Sequence, residues 1–100
     1  MIRHVFAWRV APGYDPNKIV QILNTLPERL DVIRGWQIGQ HTGDPGDNGA
    51  PWDGVLISDF SSWEDLDAYS NDPFHLDVVA ELTPMFSDRA VVDFERGDQR

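Results

Sequence analysis

MIRHVFAWRV, Met1 to Val10, decides how this chain folds. Ile2, His4, Phe6, Trp8 and Val10 alternate with Arg3, Val5, Ala7 and Arg9, and a period of two predicts a strand whose two faces differ. One face carries the large apolar side chains and a histidine. The other carries Val5 and Ala7 between arginines. The large face is expected to pack on helices and the smaller one on something else, because slipping the strand by one residue would exchange the two sets.

The elements that follow say what the strand packs against. In APGYDP, Asp15 is placed as a helix N-cap and Pro16 as the first helical residue, and Ile19, Ile22, Leu23 and Leu26 recur at helical spacing. Pro27 is expected to interrupt that helix near Leu26, with ERLDVI resuming for a turn. GWQIGQH, from Gly35, predicts a second strand, TGDPGDNGAPWD an exposed loop, and GVLISDF a third strand. Ser62 and Asp65 form a capping-box-like pair opening a helix through Trp63, Leu66 and Tyr69. NDP breaks it, and Pro73 opens a last helix bearing Phe74, His75, Val78, Val79 and Leu82. DRAVVDFE, from Asp88, closes the chain as a fourth strand. The order βαββαβ fits an α+β, ferredoxin-like fold, with a four-stranded antiparallel sheet and both helices on one face. The other sheet face is then bare, and a second copy of the chain is its economical cover.

Composition narrows the function. At 100 residues the chain is expected to be one domain, 1–100, burying about two thirds of its unfolded surface. With no cysteine, disulfides, thiolate metal sites and cysteine nucleophiles are excluded. Seventeen acids against eight bases give a net charge of −9, so nucleic acid and anionic membrane surfaces are repelled. No stretch approaches the roughly 18 apolar residues of a membrane span, and the charged N-terminal run is unlike a signal-peptide core, so a cytoplasmic protein is expected. His4, His41 and His75 lie tens of residues apart, too far for a strong metal-ligating pattern, and neither a metal nor a cofactor is expected. His41 reads as a loop residue, and Trp36, Trp52 and Trp63 as core or interface residues.

Four pieces in order then carry a resemblance: IRHV near the start, the Phe60 of SDFSS before a capped helix, YSNDPFH, and VVDFE at the end. Together they resemble the stress-responsive A/B barrel (Dabb) family, over nearly the whole chain. The resemblance implies a dimeric α+β barrel, two four-stranded sheets facing each other. Some members are plant polyketide cyclases, lyases that close a linear chain by aldol condensation. Their catalytic tyrosine and histidine correspond to Tyr69 and His75, their pocket histidine to His4, and their last-strand aspartate to Asp93. Gly54 stands where those cyclases carry a further histidine, and Trp8 where they carry a smaller aliphatic residue.

The residues make a parallel case. His75, in the first turn of its helix, is favoured in its neutral form, which serves as a base near pH 7, and the Tyr69 hydroxyl can donate to an enolate oxygen. Asp93 is expected to hold the other ring nitrogen and fix the tautomer. Phe6, Trp8, Phe74 and Val79 are expected to line the pocket with His4. The expected function is binding of a small apolar or aromatic molecule, with proton transfer of a cyclase or isomerase type. The competing expectation is a non-catalytic stress or structural dimer in which His75 bonds only backbone or Asp72, His4 is an edge-of-core histidine, and Trp8 and Phe74 plug the pocket.

Overall fold

The computed structural model describes residues 1–97, so the last residues of the domain expected over 1–100 lie outside the described residues. In chain order the elements are β1 (Ile2–Val10), α1 (Pro16–Leu23), α2 (Leu26–Arg29), β2 (Ile33–Gln40), β3 (Gly54–Phe60), α3 (Trp63–Asn71), α4 (Pro73–Leu82), a 3-10 turn (Thr83–Met85) and β4 (Phe86–Glu95). The strands form one sheet in the order β2-β3-β1-β4, and every neighbouring pair is antiparallel. This is the ferredoxin-like α+β arrangement.

Local chemistry sets the boundaries. The Asp15 carboxylate accepts from the Asn17 N–H, the Ser62 hydroxyl from the Asp65 N–H, and the Asp72 carboxylate from the Phe74 N–H, each satisfying a donor that a helix start leaves unpaired. Pro27 does not end the first helix as expected. α1 stops earlier, at Leu23, and Pro27 falls in the first turn of α2, where its missing N–H is no loss. β2 begins at Ile33 rather than Gly35, through a register slip between them. β4 begins at Phe86 rather than Asp88. A slip between Arg9 and Val10 lets Phe86 pair with Val10, and the Phe86 ring packs edge-on against Phe6 at 5.6 Å between centroids.

The register fixes which residues share a face. On the helix side, Ile2, His4, Phe6 and Trp8 run beside Phe60, Ser58, Leu56 and Gly54 of β3 and Glu95, Asp93, Val91 and Arg89 of β4. Ile2, Trp8, Leu56 and Phe60 meet Ile19 and Leu82 of the helices in the buried core. Trp8 lies directly opposite Gly54. A Cβ at position 54 would stand 2.7 Å from the indole nitrogen and nearer still to ring carbons, so this tryptophan occupies the space that a side chain at 54 would need.

The outer face is apolar in its middle. Val5, Ile57 and Val92 align across three strands, with Ala7, Val55 and Ala90 in the next row, and Val92 is 60% and Phe94 42% exposed. Ion pairs bound this patch. At one end Arg3 grips Asp59 through two hydrogen bonds of 2.9 and 3.0 Å, and Arg96 adds a third at 3.2 Å; the Arg3 guanidinium holds the Asp59 carboxyl below its ordinary range. At the other end Arg9 meets Asp88 at 3.2 Å.

Candidate functional site

Between the helix-side face and the helices lies a cavity of about 180 Å³. The sheet contributes His4, Phe6 and Leu56, α3 contributes Tyr69, and α4 contributes His75, Val78, Val79 and Leu82. Leu23 of α1 and Leu26 of α2 close it on one side, and Phe86 and Arg89 of β4 on the other. The wall is hydrocarbon except for His4, Tyr69, His75 and Arg89. An apolar hole of about 150 Å³ already accommodates a benzene ring, so the cavity suits a single ring or a short alkyl chain.

The break that opens α4 places the polar groups. Tyr69 is in the last turns of α3, and the Asp72–Pro73 corner returns the chain so that His75 covers the Tyr69 ring, 4.4 Å between centroids. Tyr69 also packs on Phe60 at 4.9 Å and stands edge-on to His4 at 6.3 Å. It is only 2% exposed, and burial alone pushes its phenol well above the ordinary range. Near neutral pH it is therefore a hydrogen-bond donor and never a phenolate.

His75 is half-buried, and burial is the main reason its imidazolium is disfavoured; the nearby His4 adds to this, while the Ser70 carbonyl and Asp72 oppose it. Nδ1 lies 3.1 Å from the Ser70 carbonyl oxygen. A carbonyl only accepts, so Nδ1 carries the hydrogen and Nε2 keeps the lone pair. Asp93 does not hold this ring, contrary to expectation. It hydrogen-bonds His4 Nδ1 instead, because Asp93 and His4 are cross-strand partners on adjacent strands whereas His75 is on a helix above them. The pair orients His4 so that its second nitrogen is left for the cavity. On its other flank, His4 pairs in register with Ser58, a fully buried residue whose hydroxyl has no hydrogen-bond partner among the described residues.

His4, Phe6, Tyr69, His75 and Val79 thus meet in one wall, and Asp93 stands behind His4. Two residues expected there lie elsewhere. Trp8 is 1% exposed in the core over Gly54 and does not line the cavity, and Phe74 turns away to lie under the Arg29 guanidinium, 4.5 Å from its ring centre. Neither plugs the space. Missed altogether was Arg89, although alternation along DRAVVDFE puts it on the same face as Val91 and Asp93. Among the described residues, no group of three histidines and carboxylates is arranged to hold a metal ion, and no helix is long and apolar enough to cross a membrane.

The stress responsive A/B barrel domain model matches residues 2–96. The chain belongs to this family. No curated protein matches it by sequence. Among solved structures, a dimeric ferredoxin-like protein of unknown function from Thermobifida fusca is 25% identical, with a TM-score of 0.75 over 93% of this chain and 88% of that one. A dimeric ferredoxin-like protein of unknown function from Bacteroides fragilis is 22% identical, with a TM-score of 0.70 over 95% of both chains. A hydroxynitrile lyase from Passiflora edulis superposes with a TM-score of 0.86 over 99% of this chain and 95% of that one, at 18% identity, a likeness of fold.

Proposed function

We propose that this A/B barrel chain binds a small, largely apolar molecule in the cavity between sheet and helices and moves a proton on it. The observation that carries this is the convergence of Tyr69, His75 and an Asp93-held His4 on a cavity of ring size whose wall, Arg89 aside, is otherwise hydrocarbon. His75 Nε2 is the base. It takes a proton from a carbon next to a carbonyl, the Tyr69 hydroxyl donates a hydrogen bond to the enolate oxygen that forms, and the proton returns from the imidazolium to the same or another carbon. Return to another carbon is an isomerisation; in a cyclisation the enolate carbon attacks a second carbonyl, whose π bond breaks, and the imidazolium proton passes to the alkoxide that forms. A lyase among the structural neighbours is compatible with proton transfer on this fold. The chain works as a homodimer joined through the outer face, which leaves the pocket within one subunit.

The test needs no knowledge of the natural substrate. Deuterium uptake at the acidic C–H of phenylacetone in D2O, followed by NMR, reads proton abstraction directly. The protein is expected to accelerate uptake above buffer, and Tyr69→Phe and His75→Asn each to slow it at least tenfold while shifting stability by about 1 kcal/mol or less. The rate follows the neutral fraction of His75. Because burial lowers the His75 pKa from the ordinary 6.5, the rate should be flat from pH 7 upward and fall only below about pH 6.5. No acceleration by the parent, or variants that melt several degrees lower yet match the parent in exchange, would leave the non-catalytic dimer as the better description.

A further inference from the structure

We propose that Arg89 is an anion anchor at the mouth of this cavity, and that the ligand is therefore a small apolar acid whose ring or alkyl part enters the cavity while its carboxylate stays at the rim. This assignment rests on the pocket proposed above and names its ligand class. Arg89 is exposed yet lines the cavity, and it also lines the adjoining surface hollow with Phe6, Ala90 and Val91. An exposed residue in a cavity wall marks the opening. It carries the one permanent positive charge on that wall.

What sets Arg89 apart from the other described arginines is a guanidinium with no partner among the described residues. Arg3 and Arg96 bind Asp59, Arg9 binds Asp88 and the Ala50 carbonyl, Arg34 binds the Asp31 carbonyl, and Arg29 lies over the Phe74 ring. Among the described residues the Arg89 guanidinium has neither a hydrogen bond, an ion pair nor an aromatic partner. This is so in a chain with more than twice as many acids as bases, where an exposed cation has many chances to pair. Its sequence neighbour Asp88 is committed elsewhere: one oxygen meets Arg9, the other accepts from the Arg89 backbone N–H. The strand alternation puts Asp88 on the outer face with Arg9 and leaves Arg89 facing the helices, in register with Trp8.

The planar guanidinium offers paired donors that match a carboxylate bidentately. In a protein of net charge −9, whose general field repels anions, a local cation is what an acidic ligand requires. The arrangement suits the proposed chemistry too. An acid held by its carboxylate at the rim presents its ring to the same cavity that Tyr69 and His75 line.

Calorimetric titration at pH 7.5 with benzoate and with neutral benzamide, which share a ring and nearly a shape, separates the charge from the cavity. The parent protein is expected to bind benzoate at least fivefold more tightly than benzamide. In Arg89→Met that preference should vanish while benzamide affinity stays within twofold, and Arg89→Lys should keep part of it. Equal affinity of the parent for both probes, or a benzoate preference that survives in Arg89→Met, would overturn the anchor and leave the cavity standing. Binding of neither probe would remove both. Since Arg89 is exposed on an edge strand, the variants' melting temperatures should match the parent, and circular dichroism verifies this before titration.

Discussion

Gly54→Ala is expected to destabilise the fold by about 3 kcal/mol, an unusually large cost for one added methyl group. The methyl would stand 2.7 Å from the Trp8 indole nitrogen and closer to the ring carbons, and Trp8, 1% exposed in the core, has no room to retreat. The effect should depend on its neighbour. Trp8→Leu alone costs about 2–4 kcal/mol by leaving a cavity, but in that background Gly54→Ala should cost less than about 1 kcal/mol, giving a coupling of about 2 kcal/mol. Denaturant unfolding of the four proteins reads the cycle directly. Additive costs would mean that the indole does not fill the space above position 54. Trp8 and Gly54 thus form one packing unit across adjacent strands, the indole taking the volume that a side chain at 54 would need.

Val92→Asp is expected to separate the homodimer. Val92 sits at the centre of the outer face beside Val5, and is 60% exposed in the single chain. A two-fold interface there would bury that aspartate twice, once from each subunit, without a cation to meet it, because Arg3 and Arg9 at the ends of the patch are already engaged with Asp59 and Asp88. Light scattering should give twice the 11.4 kDa chain mass for the parent at micromolar concentration, and the single-chain mass for the variant, with dimer affinity reduced at least a hundredfold. A monomeric parent would refute the dimer. Because the cavity lies on the opposite face of the sheet, Val92→Asp should still bind a neutral aromatic within a few-fold of the parent.

The fold was legible because its signals are local and mutually consistent. The alternation in IRHVFAWRV, the caps at Asp15 and Ser62 and the helix start at Pro73 each depend on residues a few positions apart, and the structure honours all of them. Boundaries failed where tertiary packing overrode the local signal. Phe86 extends β4 because its ring meets Phe6 and Trp8, and α1 stops before Pro27 because a second short helix begins there. The site shows the same division. Face alternation on β1 put His4 and Phe6 together, and family resemblance put Tyr69 and His75 in play. Which carboxylate serves which imidazole depends on cross-strand register, and nothing local to Asp93 or His75 encodes it. Trp8 shares the face of His4 and Phe6, yet it ends in the core rather than at the cavity, since the glycine opposite it is visible only once β1 and β3 are paired. Arg89 passed unnoticed for the converse reason: a lone arginine on an edge strand looks like ordinary surface until its usual partners are found to be occupied.

The space between sheet and helices should take up a small apolar molecule, and methyl NMR during a titration with toluene reads that uptake residue by residue. Toluene is neutral, so the result does not depend on Arg89. The expected result is saturable shifts confined to the methyl groups of Leu23, Leu26, Val78, Val79 and Leu82, with Val55 and Val92 on the outer face unmoved. Shifts that appear instead on the outer face, or no saturable change up to the solubility limit of toluene, would contradict it.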